Sequence, residues 1–395
     1  MAILAELNAA RALHGADVVI VGGGAIGCAC ALRLSAAGRS VLVVERGEPG
    51  SEATWAAGGI IGAQMESRGP GPMLSLGLAS RALYPALARE LRETTGIDIG
   101  LRSCGVLELA FAAHEEEELL RRQRWQAALG LSAALVSAEF CRESGGSPRA
   151  LSGLFFAGDG RLDNRLLARA LRLAAERAGA RFVRASAREV LIENGAATGV
   201  SVEETSADSP ASTGQPAHKI DADCVVVAAG AWSALLPGAQ LARNVVRPVR
   251  GQVIALAIQP PFEMVLHGPR GYALPRGTDQ VLVGATVEEA GFDKTATQEG
   301  TDQMREVAAI LSPALAQAKL VDRWAGLRPA SADGLLLLGR PRAVPRGLIL
   351  ATGHYRSGIL LAPITAELVC DLALGRAPRQ DLEPFRPDRP FPDLH

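Results

Sequence analysis

The sequence lacks three features that would each place it in a recognisable class of proteins. It has 395 residues, a net charge of −1 and scattered arginines, so it shows no basic face of the kind that binds nucleic acid. No apolar run approaches the roughly 20 residues that a membrane-spanning helix needs. Its six cysteines form no CxxC pair and show no Cys/His ligand spacing. This predicts reduced, mostly buried thiols and no metal site.

The N-terminal segment also lacks the features of a secretory signal. Residues 1–15 have no basic start, and Glu6 interrupts their apolar stretch, so we expect a cytoplasmic location. The segment is interpreted as either a short amphipathic helix or a frayed extension. The chain as a whole is too long for one ordinary hydrophobic core, which predicts two domains.

Residues 17–46 contain a complete strand, turn, helix and strand. The apolar run 18–21 is typical of a strand buried on both faces, and it leads directly into Gly22-x-Gly24-x-x-Gly27. In such a turn the first glycine allows a tight bend, the second lets the backbone approach a pyrophosphate, and the third lets the helix pack closely on its strand. The helix N-terminus then faces the phosphates, which predicts an adenine dinucleotide site.

Glu45 follows the second buried strand of this unit, at 41–44. A carboxylate at this position accepts hydrogen bonds from ribose hydroxyls and repels a 2′-phosphate. NADP is therefore disfavoured, and the residues leave FAD or NAD open. The alternative, a tight glycine turn that binds nothing, is disfavoured by the complete strand–helix–strand context.

Residues 47–67 are rich in glycine, alanine and threonine. Small side chains would let the flat ring of a cofactor lie against the backbone, although a flexible loop with no ligand is the alternative interpretation. A later tryptophan, Trp232, follows a buried strand at 223–229. We favour a core position for it over a place in the cofactor wall, because aromatic residues mainly supply buried area.

The middle of the chain alternates between two patterns. A helix at 75–95, a strand at 105–111 and a helix at 114–129 indicate a second domain, and the run Glu117, Glu118, Arg121, Arg122 is interpreted as a solvated helix face. A strand at 154–156 and a helix at 165–178 capped by Asp163 or Asn164 follow. Short strands are predicted next, at 182–183, 190–192 and 199–203, followed by a disordered surface insertion at 205–217. The remaining predicted strands are at 245–257, 264–266, 272–274, 281–283 and 347–351. The remaining predicted helices are at 301–318 and 359–374.

These elements predict an α/β protein. We expect a discontinuous Rossmann-type dinucleotide-binding domain and a second, α+β substrate domain built on a mainly antiparallel sheet. The expected dinucleotide-binding segments are 1–80, 154–240 and 322–395. The expected substrate-domain segments are 81–153 and 241–321.

Several motifs in chain order resemble a known family. They are the glycine fingerprint, WAAGGIIGAQME, VVVAAGAWS, YALPR, VLVGATVEEAGFD, WAGLRPASADGLLLLG and ATGHYRSGILLAPITAEL. Together they resemble the FAD-dependent D-amino-acid oxidase superfamily, and within it the glycine oxidases of thiamine biosynthesis. The resemblance covers nearly the whole chain.

The resemblance implies noncovalently bound FAD. The positions that match cofactor-binding segments are Gly22, Gly24, Ala25, Ile26, Gly27, Glu45, Arg46, Ala53, Thr54, Gly58, Gly59, Ile60, Val190 (an adenine contact), His354, Tyr355, Arg356, Ser357, Gly358, Ile359 and Leu360. His354 and Arg356 also have a simpler interpretation, as turn residues that cap the last strand. The family's usual Ala-Gly-Met at the flavin is Gly58-Gly59-Ile60 here, and Trp324-Ala-Gly-Leu has no cysteine where the sarcosine-oxidase branch attaches its flavin.

The resemblance also implies the substrate side. Arg328 matches the arginine that binds the substrate carboxylate, Arg356 a second substrate-side arginine, and Tyr272 a tyrosine of the substrate pocket. A planar guanidinium would fix the acid end of an amino acid through two parallel hydrogen bonds. The alternatives for Arg328 are a surface arginine and a satisfied ion pair.

The expected activity is oxidation of glycine, sarcosine or small D-amino acids, with oxygen as acceptor, in a homo-oligomer that is often a tetramer in the family. A dehydrogenase that uses another acceptor and a flavin-binding module without turnover are the alternatives. No histidine or carboxylate cluster in the sequence suggests a general base, and none is needed if the amine binds in its neutral form.

Overall fold

The structure, a computed structural model, describes residues 15–204 and 217–391. The predicted N-terminal extension and the predicted insertion at 205–217 lie almost wholly outside these residues. The strands are β1 (Ala16–Val21), β2 (Val41–Glu45), β3 (Ile60–Ile61), β4 (Val106–Ala110), β5 (Ala134–Ser137), β6 (Ser152–Phe156), β7 (Gly160–Arg161), β8 (Arg181–Glu193), β9 (Ala196–Glu204), β10 (His218–Val227), β11 (Val246–Ala257), β12 (Val265–Gly268), β13 (Gly271–Arg276), β14 (Gln280–Gly284), β15 (Lys319–Ser331), β16 (Leu337–Gly339) and β17 (Leu348–Thr352). The α-helices are α1 (Ala25–Ala36), α2 (Ala53–Ala56), α3 (Pro72–Thr95), α4 (Ala113–Ala128), α5 (Ala138–Glu143), α6 (Asn164–Arg177), α7 (Gln298–Leu311) and α8 (Gly358–Ala373).

The first sheet has a parallel centre in the order β8-β2-β1-β10-β17. Strand β9 runs antiparallel to both β8 and β10, and β16 is antiparallel to β17. Alternate residues of β1 point to opposite faces, so Val18 and Ile20 pack with α1, α3, α6 and α8, while Val19 and Val21 pack with residues of β8, β9 and β10. A strand buried on both faces needs a continuous apolar sequence, which is what residues 18–21 supply.

The second sheet has the order β15-β11-β14-β13-β12-β4-β6-β5. Every neighbouring pair in it is antiparallel except β12 and β4. Helix α7 packs on one face through Met304, Val307 and Leu311. The predicted fold class, a Rossmann-type sheet with a second, mainly antiparallel sheet, is therefore confirmed.

The segment limits drawn from the sequence fall inside elements at three places. The limit at 80/81 divides α3, the limit at 153/154 divides β6, and the limit at 321/322 divides β15. Strand β15 pairs with β11 over almost its whole length, so residues 322–331 lie in the second sheet, not in the nucleotide-binding part. A change of pattern along a sequence shows where an element begins, but the sheet that the element joins depends on its pairing partner.

Two local predictions were also wrong. The strands expected at 182–183 and 190–192 are one long strand, β8, whose register shifts twice along its pairing with β9. Arg122, expected on a solvated face of α4, is fully buried and forms an ion pair with Glu108. The helical spacing placed Arg121 and Arg122 together, but only Arg121 reaches solvent, where it pairs with Glu118 at 2.7 Å.

Candidate active site

The glycine turn after β1 has the geometry that its sequence predicts. Gly22 has φ = +106°, a value that favours glycine. A Cβ on Gly27 would collide with the carbonyl oxygen of Gly22, so the third glycine lets α1 begin directly against the turn. Gly24 precedes α1 without a side-chain cap, and this leaves the first N–H groups of the helix for Thr54 and for a ligand. The Ala25 N–H donates to Thr54 Oγ1 at 3.0 Å.

Glu45 lies at the end of β2 and borders the same turn. Its Oε2 accepts the N–H of Gly23 at 2.8 Å, and its Oε1 accepts the N–H of Gly47 at 2.9 Å. Each carboxylate oxygen can accept a further bond. The carboxylate is thus fixed in place beside the turn, where a ribose would meet it.

Arg46 and Trp232 form a wall next to this carboxylate. The Arg46 guanidinium lies 3.7 Å from the centre of the Trp232 ring and forms a 2.9 Å ion pair with Glu52. Trp232 is only half-buried and lines the large cavity that begins at the glycine turn. The preference for a core position was therefore wrong. Trp232 follows the carboxyl end of β10, where its indole ring borders the cavity instead of packing in the core.

A cavity of about 600 Å³ extends from the glycine turn to the second sheet. It brings together most of the predicted site residues, although they come from distant parts of the sequence. Its lining includes Gly22, Gly24, Ala25, Ile26, Glu45, Arg46, Ala53, Thr54, Gly58, Gly59, Ile60, Tyr272, Arg328, His354, Tyr355, Arg356, Ser357, Gly358, Ile359 and Leu360.

Gly27 and Val190 do not line this cavity. Gly27 acts through the packing of α1 against the turn. Val190 is buried in the core beneath the first sheet, where its N–H donates to the Pro237 carbonyl at 2.9 Å. The lining residues of β8 are instead 185–188. Val190, predicted as an adenine contact, therefore lies outside the cavity, while four earlier residues of the same strand line it.

The small-residue segment 53–60 lies along the middle of the cavity and is held by its backbone. Asn164 Nδ2 donates to the Thr54 carbonyl at 2.6 Å, and Arg276 Nη2 donates to the Gly58 carbonyl at 3.1 Å. A Cβ on Gly58 would approach the Tyr272 hydroxyl to 2.7 Å. The departure from the family's Ala-Gly-Met thus makes room for this tyrosine.

Arg328 lies at the far end of the cavity. Its guanidinium rests on Gly251, where any Cβ would collide with it, and its Nη1 donates to the Thr286 carbonyl at 3.0 Å and to the Arg250 carbonyl at 3.4 Å. Within the described residues, protein carbonyls hold Nη1 alone, and the other donors remain for a ligand. Burial lowers the pKa of Arg328, but arginine keeps its charge in proteins. Arg328 is thus neither a surface arginine nor, among the described residues, the partner of an ion pair.

Tyr272 and Arg356 face the same end. Burial raises the pKa of Tyr272 above its usual value, although Arg328 and Arg356 act in the opposite direction. The hydroxyl is therefore protonated near neutral pH and can donate a hydrogen bond. Arg356 lies in the turn Tyr355–Ser357, with its guanidinium 5.3 Å from the centre of the Tyr355 ring.

His354 is buried at the start of that turn. Its Nε2 lies 3.0 Å from Thr365 Oγ1 in α8, and burial lowers its pKa to about 3. The ring is therefore neutral and ties the turn to the helix, which is the simpler of its two interpretations, while the residue still lines the cavity. Helix α8 begins at Gly358 without a side-chain cap from Ser357, so a second helix N-terminus faces the cavity.

Sequence reasoning missed a group of polar side chains at the substrate end. Glu66, Arg68, His267 and Arg270 all line the cavity. His267 Nδ1 lies 3.8 Å from Oε1 of Glu108, a carboxylate 159 positions earlier in the chain. Nothing in the local sequence around His267 indicates this partner. Glu108 could have been identified as the partner only if the parallel pairing of β12 with β4 had been known.

The residues present fit an FAD molecule. Two uncapped helix N-termini, at Gly24 and Ser357, meet one cavity, and negatively charged phosphates are favoured at such positions. Glu45 lies beside the first, and the glycine-rich backbone at 58–60 offers a flat surface between them. The residues that line the cavity include no cysteine.

Two further properties concern only the residues that the structure describes. No group of three or more His, Cys, Asp or Glu side chains there could hold a metal ion. No described helix is both long and apolar enough to span a bilayer.

Comparisons with known proteins agree with this geometry. The sequence matches the family described as FAD dependent oxidoreductase over residues 17–372. It is 37% identical over 380 residues to glycine oxidase of Geobacillus kaustophilus (strain HTA426), covering 94% of this chain and 96% of that protein. It is 34% identical to the bifunctional protein ThiO/ThiG of Synechocystis sp., covering 94% of this chain and 54% of that protein. The crystal structure of glycine oxidase from Geobacillus kaustophilus superposes with a TM-score of 0.88 at 35% identity, covering 96% of this chain and 100% of that chain. The chain therefore belongs to the family of FAD-dependent oxidoreductases that contains the glycine oxidases.

Proposed function

We propose that the protein is an FAD-dependent glycine oxidase. It would oxidatively deaminate glycine, and also sarcosine or small D-amino acids, to the 2-oxo acid, ammonia or an amine, and hydrogen peroxide. The observation that carries the proposal is the position of Arg328, a guanidinium held by main-chain carbonyls in the cavity that the glycine turn opens. The similar glycine oxidases support the choice of substrate.

The cofactor end holds FAD through main-chain groups and one carboxylate. Ala25 and Ile26 at the start of α1 would bind the pyrophosphate, Glu45 the ribose, and Arg46 with Trp232 the adenosine side. The backbone of 58–60 would lie against the flavin, and the N-terminus of α8 would stabilise negative charge near the pyrimidine end. Bound FAD would supply the hydride acceptor at N5 and pass the electrons to oxygen.

The substrate end orients an amino acid. The free donors of Arg328 bind the carboxylate, and the Tyr272 hydroxyl donates beside it. The Tyr272 hydroxyl lies so close to Gly58 that a Cβ added there would come within 2.7 Å of it, so substrate is held directly beside the flavin segment. Orientation of this kind can supply much of the rate enhancement, because reacting atoms are held in contact.

Three finer expectations complete the proposal. FAD is bound noncovalently, and the absence of cysteine from the lining residues supports this. The protein works in the cytoplasm, where its six free cysteines would stay reduced. It assembles as a homo-oligomer, of four chains if it follows the common pattern of the family, and its imine product feeds thiazole formation in thiamine biosynthesis. Size-exclusion chromatography with light scattering tests the assembly.

Anaerobic mixing with glycine, sarcosine and D-alanine tests the function. We expect the visible flavin absorbance to bleach with at least one of them, and in air we expect one hydrogen peroxide for each substrate consumed. Turnover with an artificial dye but no peroxide would assign the protein to the dehydrogenases. A yellow protein that no amino acid bleaches would be a binding module, and the proposal would fail.

A further inference from the structure

Three neighbouring strands of the second sheet place three polar residues in one row. His267 on β12 lies directly opposite Tyr272 on β13 and directly beside Glu108 on β4. Residues in register on adjacent strands project from the same face of a sheet. The row therefore runs from the tyrosine of the substrate end, through a histidine that lines the cavity, to a carboxylate behind it.

Glu108 is a charged group enclosed by protein, with only 6% of its surface exposed. Its Oε2 accepts a hydrogen bond from the fully buried Arg122, and its Oε1 lies 3.3 Å from Arg68. Burial alone would raise its pKa, but His267, Arg122 and Arg68 together lower it below its usual value. The carboxylate is therefore ionised throughout the neutral range.

His267 connects this carboxylate to the cavity. Its Nδ1 is buried without a hydrogen-bond partner among the described residues and lies 3.8 Å from Glu108. The side chain is 12% exposed, and it lines the cavity, which leaves Nε2 as the ring nitrogen available to a ligand.

Four charged side chains act on the pKa of His267. Burial lowers its pKa, and Arg68 and Arg122 act in the same sense, whereas Glu108 and Glu66 raise it. Tyr272, the cross-strand neighbour, is protonated. The net result is a ring that is neutral near pH 7, with a lone pair that can accept a proton.

We propose that His267, with Glu108 behind it, accepts the proton that the substrate ammonium must lose before its Cα–H can be oxidised. This rests on the amine-oxidising function proposed above. One N–H bond of the ammonium breaks and its electron pair stays on nitrogen. The proton bonds to Nε2, and the imidazolium then has its Nδ1–H facing the Glu108 carboxylate. No electrons leave the substrate in this step.

The pH dependence of His267→Gln tests the proposal. A proton acceptor of this kind contributes about 10²-fold near neutral pH, and we expect that loss in kcat/KM at pH 7. Turnover by His267→Gln then depends on the fraction of substrate whose amine is already deprotonated in solution. The deficit should shrink by about tenfold per pH unit as the pH rises, until the free amine predominates. The exposed His114 provides the control: His114→Gln should follow the wild-type profile at every pH.

A second variant keeps His267 and moves its titration. Arg68 lowers the pKa of His267 and its side chain is 55% exposed, so Arg68→Gln should fold. Loss of the Arg68 charge should raise the pKa of His267 and shift the acidic limb of the kcat/KM profile to higher pH. NMR of histidine-labelled protein reports the same shift without turnover, with the His267 signal identified by its absence in His267→Gln. Arg89→Gln, an exposed arginine elsewhere, is the matched control.

Two results would overturn the proposal. One is a His267→Gln variant with folded, FAD-loaded protein and a pH profile of wild-type shape, whether or not the plateau is lower. The other is an Arg68→Gln variant that moves the His267 NMR titration but leaves the kinetic limb in place. Either result would leave the proposed function intact. Failure of the proposed function has a different sign: no amino acid would reduce the flavin of the wild-type protein.

Discussion

The two ends of the cavity are built in different ways. The cofactor end uses main-chain N–H groups, glycines and one carboxylate from residues 22–60 and from the start of α8, with further lining residues at 185–188 and 228–232. The substrate end uses side chains on strands of the second sheet, and Glu108, His267, Tyr272 and Arg328 span 220 positions of the sequence. The first end is therefore defined by local motifs and the second by strand pairing. A substitution at one end should leave the other end unaffected, except where the two meet.

The largest effect should follow removal of the guanidinium at the substrate end. Arg328→Ala leaves the substrate carboxylate without its charged partner, which typically costs about 2–5 kcal/mol, so we expect about a 10³-fold loss of kcat/KM, chiefly through KM. FAD content should not change, because Arg328 lies at the other end of the cavity. Steady-state kinetics and the flavin-to-protein absorbance ratio measure the two effects.

Arg328→Lys is the matched variant for this prediction. Lysine keeps the charge but lacks the planar fork that holds a carboxylate by two bonds, so it should recover only part of the loss. Wild-type kinetics in Arg328→Ala would remove this arginine from the site.

At the cofactor end, Gly27→Ala should act on FAD instead of substrate. The added Cβ would collide with the Gly22 carbonyl and force α1 away from the turn. Overpacking of this kind costs about 1–3 kcal/mol, and we expect FAD affinity to fall by about one order of magnitude or more. Titration of apoprotein with FAD measures it.

Gly69→Ala is the control for this substitution, because a Cβ there would meet no atom of the described residues within 4 Å. An FAD affinity in Gly27→Ala equal to that of Gly69→Ala would contradict the packing role given to the third glycine.

Buried His354 should make the stability of the protein depend on pH. Burial holds the pKa of His354 at about 3, below its value of 6.5 in an unfolded chain. Between these values the unfolded state binds the extra proton, so His354 contributes stability that is complete above about pH 6.5 and lost as the pH falls towards 3. The slope is about 1.4 kcal/mol per pH unit. Denaturant unfolding of wild type and His354→Gln from pH 7 to pH 4 should show a smaller dependence in the variant. Parallel curves would contradict this.

The smallest effect should lie where the two ends meet. Gly58→Ala would bring a Cβ to 2.7 Å from the Tyr272 hydroxyl, so the ring must shift by a few tenths of an ångström. We expect a severalfold rise in KM, greater for D-alanine than for glycine, because a methyl group in a pocket is worth about 1–3 kcal/mol. In Tyr272→Phe the same substitution should cost less. Additive effects of the two changes would show that these residues do not interact.

Predictions from the sequence succeeded where one short segment contains both the structure and its reason. The run 18–21, the glycines that follow it and Glu45 are each explained by neighbours within thirty residues. The sequence also supplied Arg328 and Tyr272, but only through the family resemblance. The prediction from the sequence failed for Arg122. Its charge indicates a surface position, and the spacing of the helix does not show that its partner, Glu108, lies on a neighbouring strand. The predicted core position of Trp232 was wrong for a similar reason, since the cavity beside this residue is formed by other segments.

By itself, the sequence determined the nucleotide-binding unit, the type of each sheet and the sign of charge at the ribose, because these depend on local periodicity, backbone freedom and a single side chain. The tertiary structure alone decided that β15 joins the second sheet, that Gly58 makes room for Tyr272, and that His267 meets Glu108. Those contacts join residues up to 214 positions apart. Strand pairing creates them, and no local pattern encodes which distant strand a residue will pair with.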